Sequence, residues 1–474
     1  MPDRVRTPNA IDALPEALLA QLRGLLDDRL LLDESDRRER ASDWWPLSKV
    51  WAAAGDVAAL PAAVVLPETA EEVRAVLALC TRERIPVTPS AGRSSVCGQS
   101  VPVAGGVVLD LARLNRIVEL DEESLTVTVE AGVYGHDLEA WLGERGYTHG
   151  HFPQSIELST VGGWLACRSA GQYSTRYGKI EEIVLGFDVA LASGALLSFP
   201  PLPADANGPE LRRVFLGSEG TLGVFTHITL RIRPAARAEQ HAAYGFDSFP
   251  DGLDAIRRIL RRGARPAVVR LYDAEESGRV FDAAESVLIV LAEGERDEIS
   301  WELGVVAQEC TRELDASLVG HWLEHRNDVS VLDHAVAAGL VVDTIETTAL
   351  WRDVPRVYAN VRAAVAAVPG TLAVTAHCSH AYTSGACLYF TFAGAPDAAE
   401  ADGYYAAAWD AALGAGAAFS HHHGVGLLRG RVPIPGLDAL QALKDALDPA
   451  GILNPGKLGL ADRLGAGEVP WPPH

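Results

Sequence analysis

Apolar residues recur along this chain with two different periods. Leu14, Leu18, Leu19, Leu22, Leu25 and Leu26 fall at helical spacing between charged positions, which predicts an amphipathic helix or helical pair over 11–40, an accessory element within an N-terminal extension, 1–55. The pattern then changes. Residues 62–66 read as a short apolar strand, Thr69-Ala-Glu-Glu72 as a capping box opening a helix to about 83, and 85–88 as a second strand. Further strands follow at 107–111, 118–120 and 125–130, then a helix at 134–145 and a hairpin of 183–191 with 195–199 across Ser193-Gly194. An alternating strand at 225–232 stops at Pro234, and this mixture of strands and helices predicts an α+β domain over 56–236. The polar 235–241 reads as a linker. Beyond it, helices near 250–262, 297–313, 351–367 and 398–413, strands at 267–271 and 287–291, and an apolar hairpin at 372–392 predict a second domain over 237–420. A third piece, 421–474, contains the turn-rich Asp448-Pro-Ala-Gly-Ile-Leu-Asn-Pro-Gly-Lys457.

Composition narrows the function. The 474 residues, 48% hydrophobic, supply cores for two or three domains. Sixty-three acidic against 41 basic side chains give a net charge of −22, which argues against nucleic acid or an anionic membrane surface as a partner. The 6 cysteines contain no CxxC pair, so they suit neither a disulfide framework nor zinc ligation and fit reduced thiols in a cytoplasm. No signal-peptide core and no long uncharged apolar run is present, so no integral membrane segment is expected.

Three segments carry candidate chemistry. Pro89-Ser-Ala-Gly-Arg-Ser-Ser95 follows a strand, and its small residues let backbone N–H groups approach an anion such as a pyrophosphate; alone it also reads as a Gly/Ser surface loop. Residues 151–171 interleave hydroxyls and glycines with apolar side chains, offering Ser159 and Thr160 as donors and Gly162 and Gly163 as close-approach points for a flat, polar-edged ligand. Leu216-Gly-Ser-Glu-Gly-Thr-Leu-Gly-Val224 is a third glycine-rich turn. Three such loops in order specify more than any one. Downstream, His421, His422 and His423 offer imidazoles for proton transfer, although on an extended segment at most two of them face one site. No Cys, Asp or Glu sits near them at ligand spacing, so no metal is expected. Tyr389 lies in an apolar stretch where a buried phenol needs a partner, and Arg270 in another where it could simply pair with Asp273 or a helix carboxylate.

The loop at 89–95, Ser159-Thr-Val-Gly-Gly-Trp164, Ser174-Thr-Arg-Tyr-Gly178 and Gly217-Ser-Glu-Gly-Thr-Leu-Gly223 resemble the FAD-binding domain of the vanillyl-alcohol oxidase / p-cresol methylhydroxylase superfamily. Val269-Arg-Leu-Tyr272, Glu346-Thr-Thr348, Gly385-Ala-Cys-Leu-Tyr-Phe390 and Ser420-His-His-His-Gly-Val-Gly426 are similar to its alkyl-dihydroxyacetonephosphate synthase branch. The resemblance implies a two-subdomain FAD-binding domain and an α+β cap with a central antiparallel sheet, followed by a C-terminal segment that returns to the flavin. It implies FAD contacts at Pro89, Ser90, Ala91, Gly92, Arg93, Ser94, Ser95, Gln154, Ser155, Ser159, Thr160, Gly163, Cys167, Arg168, Ser169, Ala170, Ser174 and Tyr177. Glu219, Gly220, Thr221, Gly223, Val224 and Phe225 complete the set. It assigns catalysis to Tyr389, the three histidines and Arg270.

Two departures bear on the substrate. Asp333-His334 stand where the synthase branch carries an Arg-Asp pair, and Leu427 stands where a lysine often follows the histidine motif, so two cations suited to a phosphate are missing. The first loop contains no histidine and Pro153-Gln-Ser155 no cysteine, so FAD is expected to be non-covalent. The primary expectation is an FAD-dependent oxidoreductase that takes a hydride from a small 2-hydroxy acid or alcohol onto flavin N5. The alternative is a synthase-type transferase exchanging an acyl group for a fatty alcohol through a flavin N5 adduct. The electron acceptor stays open, and a homodimer is the assembly to test.

Overall fold

Thr69 accepts a hydrogen bond from the Glu72 N–H at 3.2 Å and so caps the helix Ala70–Glu83, whose Val73, Val76, Leu77 and Cys80 are buried. Glu72 also reaches back to the Thr69 backbone N–H, as a capping box does. Its carboxylate accepts from the Glu68 N–H and pairs with Arg29 through two contacts of 2.5 and 2.6 Å, tying the helix to the N-terminal segment. That segment is a helical pair, Glu16–Leu26 and Glu34–Glu39, interrupted by Leu30–Leu31, which joins a sheet. Leu18, Leu22 and Leu26, spaced one turn apart, bury one face of the first helix in the same core as Ala70–Glu83.

The computed structural model describes residues 4–5, 11–397, 400–416 and 420–464. The first half carries two main sheets. One is four-stranded, in the order Leu30–Leu31, Ala63–Val65, Val107–Asp110, Val87–Ser90, with the last three strands parallel. The other is a five-stranded antiparallel sheet, Leu196–Phe199, Val184–Ala190, Val224–Arg231, Thr126–Glu130 and Ile117–Asp121, which contains the expected hairpin. The second half is built on a seven-stranded antiparallel sheet in the order Glu313–Leu314, Ala238–Phe246, Ser286–Gly294, Val268–Tyr272, Thr371–Ala381, Gly385–Gly394, Val341–Leu350.

The expected linker at 235–241 proves to be the start of a strand. Ala238 to Phe246 pairs along its whole length with Ser286–Gly294, and only Glu313–Leu314 covers its outer side, so its first residues are near an edge and tolerate Glu239 and Gln240. Helices pack on the sheet. Phe249–Arg261, capped by Ser248, buries Leu253, Ile256, Ile259 and Leu260 at helical spacing, each burial being worth roughly 1.5–3 kcal/mol. Helix Ala401–Gly414 buries Tyr405 and Trp409; residues 398 and 399 of the expected element lie outside the described residues. Strand Val341–Leu350 and helices Ala274–Phe281 and Ser317–His325 were not foreseen.

Both ends of the described chain close on one stretch, 93–101. From the N-terminal side the Trp44 N–H donates to Arg93 O at 3.2 Å, and Asp43 accepts from Ser95 Oγ and from the Ser100 N–H. From the C-terminal side the Leu427 N–H donates to Cys97 O at 2.9 Å, Asn454 Nδ2 to Gln99 O at 3.0 Å, and the buried Lys457 Nζ to Val101 O at 2.7 Å. Residues 452–454 also bridge to Val87 beside the parallel sheet. No helix among the described residues is long and apolar enough to cross a membrane.

Candidate active site

The three glycine-rich loops touch one another. A Cβ on Gly92 would lie 1.9 Å from Leu158 O, so the first loop approaches the second as closely as only glycine permits. A Cβ on Gly220, at φ +73°, would lie 2.9 Å from the Pro89 ring, which seats the third loop on the first. The Ser90 and Ser218 hydroxyls and His151 Nδ1, on these loops, are buried without a hydrogen-bond partner, as are Arg270 Nε and His423 Nδ1 in the second half. Buried polar atoms require partners, and the phosphates, ribityl hydroxyls and ring edge of FAD supply such partners, so these residues fit that cofactor.

Most of the named side chains here are already engaged, so the loops' remaining offer to a cofactor is largely backbone. Arg93 donates to Ala91 O of its own loop at 3.4 Å and pairs with Asp110 and Glu39, at 3.5 and 3.2 Å. Ser159 Oγ, expected as a donor, accepts from Trp164 Nε1 at 2.8 Å, and Thr160 Oγ1 caps the helix Val161–Cys167 by accepting from the Gly163 N–H. Gly163 is exposed on that first turn, as is Gln154 nearby, while Ser155 O accepts the Leu158 and Ser159 N–H groups. Cys167 and the buried Ala170 flank Arg168, which reaches Glu181 at 2.9 Å, and Ser169 Oγ meets His151 Nε2 at 2.7 Å. Tyr177 OH is bonded to Glu293, and burial pushes its phenol up. In the third loop Thr221 Oγ1 donates to Ser218 O, Gly223 abuts Val189, and Val224 and Phe225 sit in the core. Glu219, pushed up to about 7 by burial, accepts the N–H groups of Val425 and Gly426 at 2.6 and 2.8 Å, which docks the histidine segment onto this loop.

That segment is not extended. The backbone N–H groups of His421, His422 and His423 all donate to one atom, Glu346 Oε1, at 2.9, 2.9 and 2.7 Å, and Ser420 Oγ and Arg429 Nη1 add bonds of 2.8 and 3.0 Å. Three successive amides wrapped on one oxygen form a nest, so all three imidazoles stay around a common centre and the two-of-three expectation fails. Glu346 is fully buried; although burial opposes it, His423, His422 and Arg429 hold its carboxyl well below the usual carboxylate range. The linear-spacing argument against acidic neighbours also fails, because Glu346 arrives from strand Val341–Leu350, opposite Tyr389 in register. Donor atoms of Glu346, His422 and His423, of His380, His421 and His422, and of Glu346, Cys387 and His421 lie within 4.8 Å of one another in each set.

Tyr389 OH lies 2.8 Å from His422 Nε2 and 3.1 Å from His380 Nε2, and His380 Nδ1 lies 2.7 Å from Ser174 Oγ. His422 Nδ1 sits 2.9 Å from Glu346 Oε2 and 2.8 Å from His421 Nδ1, whose Nε2 meets Tyr382 OH at 2.6 Å. Burial pushes the Tyr389 phenol well above its ordinary value, drives His421 and His380 well below theirs, and takes His423 to about 3. Arg270 pairs with neither Asp273 nor a helix carboxylate directly. Its Nη2 meets His377 Nε2 at 2.8 Å, and His377 Nδ1 meets Glu276 Oε1 at 3.0 Å, while the His377 ring stacks on Tyr389 at 4.6 Å. Asp333 lies at the surface, bridged to Lys49 at 2.7 Å, and Leu427 is buried. Glu346, His380, His377 and Glu276 were missed as site residues. Glu346-Thr-Thr348 had been a matching motif, but nothing in its own strand says which residues it meets.

Comparison with known proteins identifies the family and the fold. Residues 61–199 match the family profile of the FAD binding domain, and 235–458 that of the FAD linked oxidases' C-terminal domain. The chain is 32% identical over 435 residues to an uncharacterized FAD-linked oxidoreductase, YgcU, of Escherichia coli (strain K12), covering 84% of this chain and 89% of that protein. It is 28% identical over 456 residues to the alkyldihydroxyacetonephosphate synthase of Dictyostelium discoideum, covering 85% and 74%. Among solved structures, an alkyldihydroxyacetonephosphate synthase superposes with a TM-score of 0.79 at 24% identity, covering 96% of this chain and 88% of that one. A substrate-bound p-cresol methylhydroxylase superposes with 0.75 at 16%, covering 95% and 98%. The α+β architecture is that of the p-cresol methylhydroxylase type. With two matched domains and a relative above 30% identity over most of both chains, the chain belongs to the FAD-linked oxidoreductase family and uses FAD as its cofactor.

Proposed function

We propose that this enzyme oxidises a small hydroxylated substrate of the 2-hydroxy-acid or alcohol type. Bound FAD supplies the acceptor for the substrate's hydride. The observation that carries the reading is the chain of contacts from Glu346 through His422 and Tyr389 to His380 and Ser174. Because a buried anion, Glu346, faces His422 Nδ1, that nitrogen carries the proton and Nε2 presents its lone pair to Tyr389. Tyr389 then donates to His422 Nε2 and accepts from His380 Nε2, whose Nδ1 accepts from Ser174.

Burial keeps the phenol protonated at neutral pH, so Tyr389 is no base by itself; it becomes one when its proton moves to His422 as the substrate hydroxyl delivers another. Glu346 stabilises the imidazolium so formed. His380, His421 and His423, held neutral by burial, add no competing positive charge. Arg270, braced by His377 and Glu276, is placed to orient an anionic substrate group. The FAD is held non-covalently by the loop contacts named above, which the absence of histidine from 89–95 supports. Six free cysteines, five of them buried, support a reducing cytoplasmic setting.

Anaerobic titration with a panel of 2-hydroxy acids and alcohols tests the reading: at least one should bleach the flavin band. If none does, and a phosphorylated ketone ester turns over with a long-chain alcohol without oxygen consumption, the enzyme is a transferase instead.

A further inference from the structure

Arg270 and Arg326 lie against aromatic rings rather than carboxylates. Among the described residues neither Arg270 nor Arg326 has a carboxylate within ion-pair distance, although the chain carries 63 acidic side chains. Both lie against one indole: Arg270 is 5.9 Å and Arg326 5.6 Å from the centre of the buried Trp322 ring. Arg270 also lies 5.1 Å from Tyr272, and Arg326 5.0 Å from Tyr173 and 5.6 Å from Phe152. Aromatic faces hold a guanidinium by its flat side and leave its N–H edge for an anion.

Arg326 is also fixed by a reciprocal pair, its Nη1 donating to Gln172 Oε1 and Gln172 Nε2 to Arg326 O, both at 3.2 Å. Arg270 adjoins the Tyr389 relay, and Arg326 shares the Trp322 ring with it. His377, which bonds Arg270, stacks on Tyr389, and Tyr173, which holds Arg326, directly precedes the Ser174 that bonds His380. A half-buried guanidinium that faces no carboxylate directly, in a chain of net charge −22, can take its counter-charge from an anionic ligand.

We propose that Arg326 is a specificity-determining residue: with Arg270 it recognises a small substrate carrying two negative groups, Arg270 taking the group next to the reacting carbon and Arg326 the distal one. The distal group is a carboxylate or a phosphate, since both accept two N–H bonds from a guanidinium edge. The proposal rests on the oxidative reading for the reaction but not for the binding.

Non-oxidisable probes separate the two. Holoenzyme titrated with malonate, inorganic phosphate and acetate, read by perturbation of the flavin band, should bind malonate or phosphate at least tenfold more tightly than acetate. Arg326→Gln should abolish that preference and leave acetate unchanged, and Arg326→Lys should keep part of it. Loss confined to malonate identifies a dicarboxylate, and loss confined to phosphate a phosphorylated substrate. With D-malate as substrate, the KM of Arg326→Gln should rise at least tenfold while kcat stays within twofold. A wild type that binds malonate and phosphate no better than acetate, or an Arg326→Gln that keeps the preference, overturns the proposal. If no hydroxy acid reduces the flavin while the malonate or phosphate preference depends on Arg326, the oxidative reading falls and the anion site stands.

Discussion

Replacing Glu346 by glutamine tests the centre of the site with a change of one atom. Oε1 receives the hydroxyl of Ser420, the three amides of 421–423 and Arg429 Nη1, and an amide oxygen can take the same place. What vanishes is the charge. Arg429, 1% exposed, keeps an acceptor but loses the charge that paired it at 3.0 Å, a loss worth up to about 3–5 kcal/mol in broken buried pairs. His422 loses the anion that stabilises its protonated form, which removes ~10²–10⁴-fold from a step relying on general-base catalysis. Glu346→Gln should therefore lower the unfolding midpoint and slow single-turnover flavin reduction by at least a hundredfold, while Glu346→Asp, which keeps the charge one methylene short, should fall between. Thermal unfolding followed by fluorescence and stopped-flow reduction at the flavin band measure the two effects. A glutamine variant that melts with the wild type and reduces its flavin within threefold of the wild-type rate would refute the assignment of Glu346 as counter-ion and anchor.

Four further outcomes are expected. Tyr389→Phe should lose ~10²-fold or more in turnover yet keep its full complement of flavin, since the lost hydroxyl serves the relay; normal turnover by steady-state assay would remove Tyr389 from it. Gly92→Ala should push the first two loops apart and purify largely without FAD, as read from the flavin-to-protein absorbance ratio; wild-type occupancy would show that Leu158 O is not the limit. Asp333→Arg should cost only about 0–1 kcal/mol, because its bridge to Lys49 is exposed, and bring no gain in phosphate affinity; a threefold gain by titration would place residue 333 at the anion site. Acid should unfold the protein in a defined window. The folded value of His423, about 3, is below its ordinary 6.5, so its stabilising contribution is present above 6.5 and fades as pH falls toward 3. Glu346 is also depressed and fades below 4.5, while raised acids such as Glu219 offset the loss above that, so melting temperature should fall below pH 4, and a flat profile from pH 4 to 3 contradicts the depressed values of His423 and Glu346.

Local patterns carried much of this structure into the sequence. The helices Ala70–Glu83 and Phe249–Arg261 have clear caps and periodic apolar faces, and the hairpin at 184–199 is framed by Ser193-Gly194. The three glycine-rich loops were visible because close backbone approach demands small residues wherever it occurs. What stayed hidden depends on distant partners. Strand Ala238–Phe246 begins with polar residues because its outer side is mostly open, which in sequence is indistinguishable from a linker. Glu346 sits among threonines in Val341–Leu350, and its meaning comes only from amides 75–77 positions later. Arg93 lies in the phosphate-like loop and pairs with Asp110, an acid that the local pattern does not connect with it.

The stretch 93–101 is gripped from one side by residues 43–44 and from the other by 427, 454 and 457. A ribosome emits the former well before the latter, so a nascent chain lacks half the fastening of its first glycine-rich loop until residues 427–457 have emerged. A chain stalled or clipped before position 427 should therefore accumulate colourless, however well its upstream sheets have formed.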